Sequence, residues 1–552
     1  MNSTFAATSR SFSNKDIILE SFQTALAFND SVRRVKCDET RPRCNRCTST
    51  KRICDGYVSH SRSIPRRELA DAVRGLSVIG PASQALNQSP LPSNPVSRPA
   101  SSDDAVYFDL FRQVTVPGTC IFFPSSFWRE SILQVAHSEP AVWHATLALG
   151  ALHHRAGALT LGRKDDDRVL ARAELHYGKA MALARDLDST AKVVTLSIAL
   201  VAAANMLERW SEMQTHVMAG LKIIAQDEAR TSRHKFLRAS LTRFDLLAMT
   251  YGDSQSPYPY NQCSSIYTLD QFLSVPHTQS VSYEELSSEL FGLMRAGFLL
   301  DDSLFSGNLA YGPWVTKYDA FLRRLTLWES SMAGFEDAHK PTNRDQTTRL
   351  SLRLYHVTLR TMIQAGFVGR ETRYDALLGR FEYMVNLAAT LQQRMRTDSA
   401  INFSLELGLI IPLGVVIHRC RHHALRRAAL RILKESNRVE GMWRSDTASA
   451  IFGALVAVEE GSVVPTNTYI YTPFLLDSSL SNIPWRAWSK LNFELLATLG
   501  WNDAPMIPEE KRVKEFQANM YPGKRCAELR LITGPINDGD PYGEVKEVTV
   551  QF

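Results

Sequence analysis

The sequence predicts a mainly α fold, in which a small cysteine module and a flexible linker precede a large α-helical domain. Four of the eight cysteines lie within eighteen residues near the start of the 552-residue chain. A Pro- and Ser-rich stretch follows them, and beyond residue 105 apolar residues recur at helical spacing over most of the chain. Because this length exceeds what one hydrophobic core usually organises, more than one domain is expected.

Residues 1–30 are predicted to be a disordered tail, because they show no strong apolar period. They lack a continuous apolar core, and Asp16 and Glu20 interrupt their Ser-rich start. We therefore expect no cleavable signal sequence, and hence a reducing compartment. In such a compartment clustered cysteines bind metal more often than they form disulfides.

Residues 31–57 form the cysteine module, with the spacing Cys37-x6-Cys44-x2-Cys47-x6-Cys54. Thiolates are soft ligands, zinc takes four ligands tetrahedrally, and a two-residue gap lets neighbouring sulfurs reach one ion. The alternative, a cluster of unliganded core cysteines, needs an apolar environment that this hydrophilic run does not offer. We therefore predict that these four cysteines bind zinc. The remaining thiols are predicted to be buried in the core: Cys120, Cys263, Cys420 and Cys526.

Positive charge is concentrated around this module. The segment 31–67 holds eleven Lys and Arg against three acidic residues, a local balance of +8. The whole chain has a formal net charge of +6, which leaves −2 for the remainder (+6 less +8). Such local basicity favours a module that binds a polyanion, and a solvated charge run is the alternative.

A family resemblance lies in the segment Arg33–Cys47, whose sequence is RRVKCDETRPRCNRC. This segment resembles the fungal-type Zn(2)-C6 binuclear cluster of transcription factors. In that family six cysteines hold two zinc ions, and two of the sulfurs bridge the metals. The resemblance matches the four cysteines of the module with the third to sixth ligands, and Pro42 with the proline of the loop that joins the two halves of the cluster.

The chain departs from the family at the first two ligands, which would fall at positions 27 and 30. These positions hold Ala27 and Asp30, so the chain supplies one four-thiolate site or a distorted half-cluster. Two explanations compete: a misjoined exon that replaces the true start of the cluster, or a loss of DNA-binding competence. The match begins abruptly at Ser31 and is faithful thereafter, which favours the misjoined exon.

The resemblance also implies a short helix before the third ligand that enters the major groove of double-stranded DNA. Arg33, Arg34 and Lys36 occupy its positions here. Because Arg and Lys donate to guanine O6 and N7, these residues are predicted to read a GC-rich target, and the family implies CGG-like triplets. Other basic residues are predicted to contact phosphates: Arg43, Arg46, Lys51 and Arg52.

Residues 58–104 are predicted to be a flexible linker. The part from residue 80 to 103 contains five prolines and six serines, so it cannot bury enough apolar surface to offset the entropy of ordering. Leu69, Val73 and Leu76 recur at helical spacing, but they are too few for a coiled coil. This segment therefore does not by itself predict a coiled-coil dimer, and a homodimer remains an alternative to a monomer.

Residues 105–552 are predicted to form the helical domain, with one helix starting near Pro140. The Ala-rich segments Val169–Leu187 and Thr190–Glu208 are predicted to pack as an antiparallel pair. A β-like run is present at Glu547–Phe552. Further helices are predicted at Leu237–Tyr251, Leu286–Asp301, Thr347–Phe367, Ala376–Met395 and Ala424–Leu433.

The region from Ala105 to Trp501 resembles the fungal-specific regulatory domain that follows such clusters, most clearly in Ala145–His153. This resemblance implies effector sensing, contact with the transcription machinery, self-association and a nuclear location. The combined prediction is a sequence-specific DNA-binding transcription factor of RNA polymerase II genes, with zinc as its cofactor. The alternative is a helical interaction protein whose truncated cluster no longer binds DNA.

Other site types find little support in the sequence. There is no Gly-rich phosphate loop, His-Glu-x-x-His or Gly-x-Ser-x-Gly, so we do not predict an enzyme. The apolar stretches Val193–Leu207 and Ile410–Ile417 are too short to span a bilayer, so no membrane association is predicted. A run with metal-ligand residue types is interpreted as an exposed basic helix face: His418, Cys420, His422 and His423. Several aromatic residues are predicted to lie in the core: Tyr107, Phe127, Trp128 and Trp143.

Overall fold

The structure is a computed structural model, and the part of the chain that it describes is mainly α-helical with two small β-sheets. Among the helices described, none combines the length and apolar character needed to cross a membrane. The residues described are 102–160, 166–226, 235–260, 269–274, 279–306, 309–339, 341–366, 369–396, 402–461, 470–476, 482–490, 507–535 and 543–552.

The helices follow one another closely along the chain. The α-helices are α1 (Ser102–Leu110), α2 (Val116–Thr119), α3 (Ile132–Ser138), α4 (Pro140–Thr160), α5 (Asp167–Ala182), α6 (Thr190–Met206), α7 (Trp210–Gln226), α8 (Lys235–Thr250), α9 (Leu269–Ser274), α10 (Tyr283–Phe305), α11 (Tyr311–Ala338), α12 (Gln346–Ala365), α13 (Leu378–Arg396), α14 (Ile410–Arg419), α15 (His423–Glu435), α16 (Ser445–Glu460) and α17 (Trp485–Trp488). The π-helical turns are Phe111–Thr115 and Phe127–Ser131, and the 3-10 turns are Ala184–Asp186, Asn343–Asp345, Glu371–Leu377, Glu509–Lys511 and Pro522–Lys524.

The sequence fixes several helix starts through capping side chains. Asp166 accepts a hydrogen bond from the backbone N–H of Arg168 at the start of α5, at 3.0 Å. Ser282 does the same for Glu285 at the start of α10, at 3.2 Å. Such caps satisfy backbone donors that have no partner within the helix, so they define where the helix begins. The helix predicted near Pro140 begins at that proline.

Helix α6 lies at the centre of the core, with every residue from Val193 to Asn205 buried. The predicted antiparallel pairing of Val169–Leu187 with Thr190–Glu208 is wrong, because α5 packs mainly against α4 and α6 mainly against α7. Helix α5 buries only one face, whereas α6 is apolar on all sides and can be covered by several helices at once. Alanine content alone therefore did not identify the partners.

Helices α1 and α4 approach each other very closely at Gly150. A Cβ atom at this position would collide with the carbonyl oxygen of Tyr107. Tyr107 lies on α1 (Ser102–Leu110) and its side chain is buried. A glycine at position 150 is therefore required for this helix contact.

Most of the helix predictions are confirmed. All five of the further predicted segments contain helices, namely α8, α10, α12, α13 and α15. Three long helices were not predicted: α7, α11 and α16. In α11 the buried residues form a narrow stripe that includes Trp314, Phe321, Leu325 and Trp328, while charged and uncharged residues, including Tyr311 and Leu327, are exposed on the rest of its surface. So narrow a stripe in a 28-residue helix is a weak periodic signal.

The predicted core aromatics are largely confirmed. Tyr107, Phe127 and Trp128 are fully buried, and Trp143 is half-buried against the same core. Three of the four thiols predicted to be buried are free and buried: Cys120, Cys420 and Cys526. The fourth, Cys263, lies outside the described residues.

The strands form two three-stranded sheets. The first sheet consists of β1 (Asn402–Ser404), β2 (Arg438–Glu440) and β3 (Trp443–Arg444), with β1 parallel to β2. The second sheet is antiparallel and consists of β4 (Val513–Tyr521), β5 (Cys526–Thr533) and β6 (Val545–Gln551). The predicted β-run at Glu547–Phe552 is confirmed as β6, whereas β4 and β5 were not predicted. Strand β5 alternates buried Leu529 and Leu531 with exposed Arg530, as expected for a sheet with one face on the core.

A buried ion pair connects distant parts of the helical region. The guanidinium of Arg243 on α8 donates to Glu406 at 2.6 Å, and both side chains are only 2% exposed. The second oxygen of Glu406 accepts from the indole N–H of Trp128 at 2.6 Å. Arg243 also donates to the hydroxyl of Ser287 on α10 at 2.9 Å. This cluster joins segments that lie more than one hundred residues apart in sequence.

Substitution Glu406→Ala should destabilise the protein strongly. It removes the partner of a buried guanidinium and of a buried indole N–H, and an uncompensated buried charge costs about 3–5 kcal/mol. We expect urea denaturation to show a decrease of this size in the free energy of unfolding.

The matched control is Asp109→Ala, which breaks a pair with Arg112 whose side chains are 53% and 51% exposed. We expect this control to lower the free energy of unfolding by less than about 1 kcal/mol, because solvent screens exposed ion pairs. Equal losses in the two variants would contradict a central role for Glu406.

Candidate functional site

The residues predicted to bind zinc and DNA lie outside the described residues. This holds for Cys37, Cys44, Cys47 and Cys54, and for Arg33, Arg34, Lys36, Arg43, Arg46, Lys51 and Arg52. The predicted tail and nearly all of the predicted linker, including Leu69, Val73 and Leu76, also lie there. The predictions for these residues therefore stay predictions.

The interpretation of the run from His418 to His423 as an exposed basic face is wrong. Cys420, Arg421, His422 and His423 are each at most 2% exposed, because the run turns from α14 into α15 beneath strand β4. Within the described ranges, no group of three or more His, Cys, Asp or Glu side chains could hold a metal ion. The charges of this region are instead neutralised internally.

This neutralisation comes from six side chains that we call the arginine–glutamate network: Glu371, Arg419, Arg421, Arg426, Glu459 and Glu460. Arg421 is fully buried and bridges two carboxylates, with Glu371 at 3.1 Å and Glu459 at 3.0 Å. Arg426 pairs with the other oxygen of Glu459 at 2.6 Å, and Arg419 pairs with Glu371 at 2.8 Å. Three cations thus face three carboxylates, so the network carries no net charge when all six are ionised.

The arginine–glutamate network stabilises the ionised form of Glu371. Burial alone raises the pKa of this carboxyl, but Arg419 and Arg421 outweigh burial, so its pKa lies below the ordinary value. Burial raises the pKa of Glu460, and its neighbours Arg426 and Arg427 only partly oppose that effect. Glu371 is therefore the more firmly ionised of the two carboxylates.

The same network forms hydrogen bonds that connect strand β4 of the second sheet to the helices. Glu459 accepts a hydrogen bond from the backbone N–H of Val513 at 2.5 Å, and Arg421 donates to the carbonyl oxygen of Val513 at 2.9 Å. His418 Nε2 donates to that same carbonyl at 3.1 Å. Burial and the nearby guanidiniums lower the pKa of His418 well below its ordinary value, so the ring is neutral.

A cavity of about 410 Å³ lies beside this network, and we call it the charged cavity. The charged side chains of its lining include Asp301, Glu371, Arg373, Arg419, Lys514 and Glu515. Its apolar lining includes Phe298, Ile410, Trp443, Phe452 and Phe516. The cavity is therefore lined by both charged and apolar side chains.

Asp301 is the least satisfied carboxyl in the charged cavity. Its Oδ1 is buried without a hydrogen-bond partner. Burial raises the pKa of Asp301 to about 6, although Arg419 and Arg373 act in the opposite direction. This carboxyl therefore exchanges a proton near neutral pH.

A larger cavity of about 720 Å³ lies between α11, α12, α13 and α17, and we call it the tryptophan cavity. Trp485 and Trp488 of α17 form part of its wall, with ring centroids 4.5 Å apart. His356 of α12 lies against both, with centroid distances of 5.0 Å and 5.4 Å. Glu329 of α11 accepts from His356 Nε2 at 2.6 Å, which fixes the orientation of the imidazole.

Sequence reasoning missed both cavities and the network. One signal was present, because Arg426 lies three residues before Ala429 and seven before Leu433, on the buried stripe of α15. An arginine on the apolar stripe of a helix indicates a buried ion pair. The carboxylates that complete the pairs of Arg421 and Arg426 lie 33 to 50 residues away, so their identity could not be read from α15 alone.

Substitution Asp301→Asn should make the protein more stable at neutral pH. The pKa of Asp301 is raised in the folded state, so its contribution is present below about pH 4 and is lost as the pH rises through about 6. The amide of the variant stays neutral at every pH. The difference in the free energy of unfolding between the variant and the natural protein should therefore be about 2 kcal/mol more favourable to the variant at pH 7.5 than at pH 4.5.

Urea denaturation at the two pH values measures this difference. The control is Asp319→Asn on the exposed side of α11, which should show no such dependence. A gain at Asp301 that is the same at both pH values would contradict a raised pKa.

The chain shows similarity to fungal regulatory proteins. Residues 106–369 match the family described as fungal specific transcription factor domain. Over 217 residues the chain is 29% identical to the aspercryptin biosynthesis cluster-specific transcription regulator atnN of Emericella nidulans, covering 37% of this chain and 34% of that protein. Over 129 residues it is 30% identical to the transcription regulator lscL of Purpureocillium lilacinum, covering 23% of this chain and 28% of that protein.

The matched segments thus span about a third of the length of these relatives. No solved structure matches the chain. The family match extends from within α1 to beyond the end of α12, so it includes the central helix α6. It also includes Arg243 of α8, whereas the partner of this arginine, Glu406, lies outside the match. Residues 106–369 are thus similar to a fungal specific transcription factor domain, and the two relatives are both transcription regulators.

Proposed function

We propose that this chain is a sequence-specific DNA-binding transcription factor that acts in the nucleus on genes of RNA polymerase II. One observation carries the proposal: a basic segment with the cysteine spacing 6-2-6 precedes a helical region that matches a fungal transcription factor domain. Either feature alone fits several roles. Their order along one chain supports a DNA-binding module followed by a regulatory domain.

The donor set of the module suits zinc. Cys37, Cys44, Cys47 and Cys54 would supply four soft thiolate ligands, the number that a closed structural zinc site requires. The ion would supply folding energy rather than catalysis, because so short a hydrophilic segment has almost no apolar core. The role proposed for zinc is therefore structural.

The basic residues of the module would contact duplex DNA in two ways. Arg33, Arg34 and Lys36 precede the first of these cysteines and would donate to guanine edges in the major groove of a GC-rich site. The remaining basic residues would contact phosphates and fix the register: Arg43, Arg46, Lys51 and Arg52. Affinity should consequently fall steeply with salt.

The helical region would connect DNA binding to other proteins. We propose that it contacts the transcription machinery and that it is also the part through which a homodimer would form. Its helices are joined by buried ion pairs such as Arg243–Glu406, so its surface is held in a defined arrangement. A defined surface is what recognition by a protein partner requires.

A second function is favoured by one specific observation. Ala27 and Asp30 stand where the related clusters carry their first two cysteines. With four thiolates instead of six, the chain would bind one zinc ion at most and could lack the geometry for DNA. It would then act as a regulatory protein that binds partners through its helical region alone.

Zinc content and DNA binding separate these two functions. We expect the natural chain to hold one zinc ion and the Ala27→Cys/Asp30→Cys variant to hold two, measured by elemental analysis of the purified full-length proteins. In a gel-shift assay with a GC-rich duplex, we expect the repaired variant to bind and to lose affinity steeply between 50 and 200 mM salt, on the order of tenfold or more.

The control is the additional substitution Lys36→Glu, which should abolish binding to the duplex while the zinc content stays the same. If the repaired variant holds two zinc ions and still ignores the duplex, the DNA-binding proposal is wrong. If the natural chain already binds the duplex as well as the repaired one, the second function is wrong.

A further inference from the structure

We propose that the tryptophan cavity binds an uncharged aromatic molecule that carries a hydroxyl group, such as a phenol. The cavity volume of about 720 Å³ is in the range that accommodates a small organic ligand. The residues that would bind this ligand lie on α11, α12 and α17, so the site is independent of the proposed zinc and DNA contacts.

Two buried side chains of the lining each contain a polar atom without a hydrogen-bond partner among the residues that the structure describes. Trp485 is 1% exposed and the unpartnered atom is its indole Nε1, whereas His356 is 6% exposed and the unpartnered atom is its Nδ1. The two rings are neighbours, with centroids 5.0 Å apart. Because proteins rarely leave buried polar atoms unsatisfied, we expect a molecule from outside the chain to bind both.

The contacts of His356 determine which of its ring nitrogens carries the proton. Its Nε2 lies 2.6 Å from a carboxylate oxygen of Glu329. Burial acts to raise the pKa of Glu329, but the hydrogen bonds from His356 and Arg360 outweigh burial, so this pKa lies below its ordinary value. An ionised carboxylate only accepts hydrogen bonds, so the proton is on Nε2. Burial lowers the pKa of His356, so the ring is neutral and its Nδ1 is an acceptor.

The two unpartnered atoms therefore have opposite hydrogen-bonding roles. The indole N–H of Trp485 donates, and the Nδ1 of His356 accepts. A ligand hydroxyl beside the two rings would accept from Trp485 and donate to His356. An ether or a carboxylate oxygen, in contrast, only accepts and would leave His356 unsatisfied.

The ion pairs around the cavity favour an uncharged ligand. Arg360 donates two hydrogen bonds to Glu329, at 2.8 Å and 2.6 Å. Arg486 is paired with Asp337 of α11. Both guanidiniums thus already have a carboxylate partner, and a ligand carboxylate would have to compete with these partners.

The apolar part of the lining suits a flat aromatic body. The rings of Trp485 and Trp488 line the cavity together with the side chains of Leu322, Val357 and Ile363. Aromatic faces and branched aliphatic side chains favour a flat apolar ligand over a compact polar one. Together with the donor and the acceptor, these side chains specify an aromatic alcohol.

The test is isothermal titration calorimetry of the full-length protein with 2-naphthol at pH 7, where this phenol is uncharged. We expect 2-naphthol to bind at least about threefold more tightly than 2-methoxynaphthalene, which accepts but does not donate. Because Arg380 and Lys490 also line the cavity, the anion 2-naphthoate is a separate arm, and we expect it to bind more weakly than 2-naphthol.

Two substitutions test the position of the site. Trp485→Phe should weaken the binding of 2-naphthol by about three- to tenfold, since the ring is kept and one neutral hydrogen bond is lost. Ser330 is an exposed residue of the cavity lining, so the bulky side chain of Ser330→Trp would obstruct the cavity. We expect this variant to weaken binding by about tenfold or more.

Each substitution has a matched control. Trp443→Phe removes an indole donor from the charged cavity instead, and Thr316→Trp adds the same bulk at an exposed position of α11 outside the lining. Both controls should leave the affinity for 2-naphthol unchanged. Thermal unfolding verifies the fold of each variant, and Ser330→Trp carries the test if Trp485→Phe does not fold. The proposal is overturned if 2-naphthol does not bind, if 2-methoxynaphthalene or 2-naphthoate binds equally well or better, or if a control weakens binding as much as the variant it matches.

Discussion

The helical region depends on arginine charges that are buried and neutralised within the protein. Arg243, Arg349 and Arg421 are each almost completely excluded from solvent, and each is paired with at least one carboxylate. Removing such a charge from water is costly, and only an accurately placed partner with further hydrogen bonds offsets the cost. Apolar side chains could pack in many arrangements of these helices. The buried ion pairs, in contrast, form in only one of these arrangements.

The two cavities differ because their charges are arranged differently. In the charged cavity, Glu371 is paired with Arg419 along the wall, so the charges nearly cancel. In the tryptophan cavity the guanidinium of Arg360 is paired with Glu329, while Arg380 adds a further cation close by. Each cavity therefore contains an internal pair of an arginine and a glutamate, and the charged cavity also contains the proton-exchanging carboxyl of Asp301.

The sequence predicted the helical class and most of the helix positions because these follow from local periodicity. It did not predict which helices are neighbours, since α6 is apolar on every side and offers no directional signal. The run around His418 was misjudged for a related reason: polar residue types indicate exposure unless their partners are known. Those partners, Glu371 and Glu459, come from the turn before α13 and from α16. Both cavities likewise depend on residues brought together from several helices.

The hydrogen bonds between the network and strand β4 have a consequence for the order of folding during synthesis. Arg421 donates to the carbonyl of Val513, which lies 92 residues further along the chain, and Glu459 accepts from the same residue across 54 residues. Helices α14 to α16 therefore emerge from the ribosome before their buried charges can be fully satisfied. Until β4 has been synthesised, the hydrogen bonds between these helices and Val513 cannot form. Chaperones would bind this region during that interval.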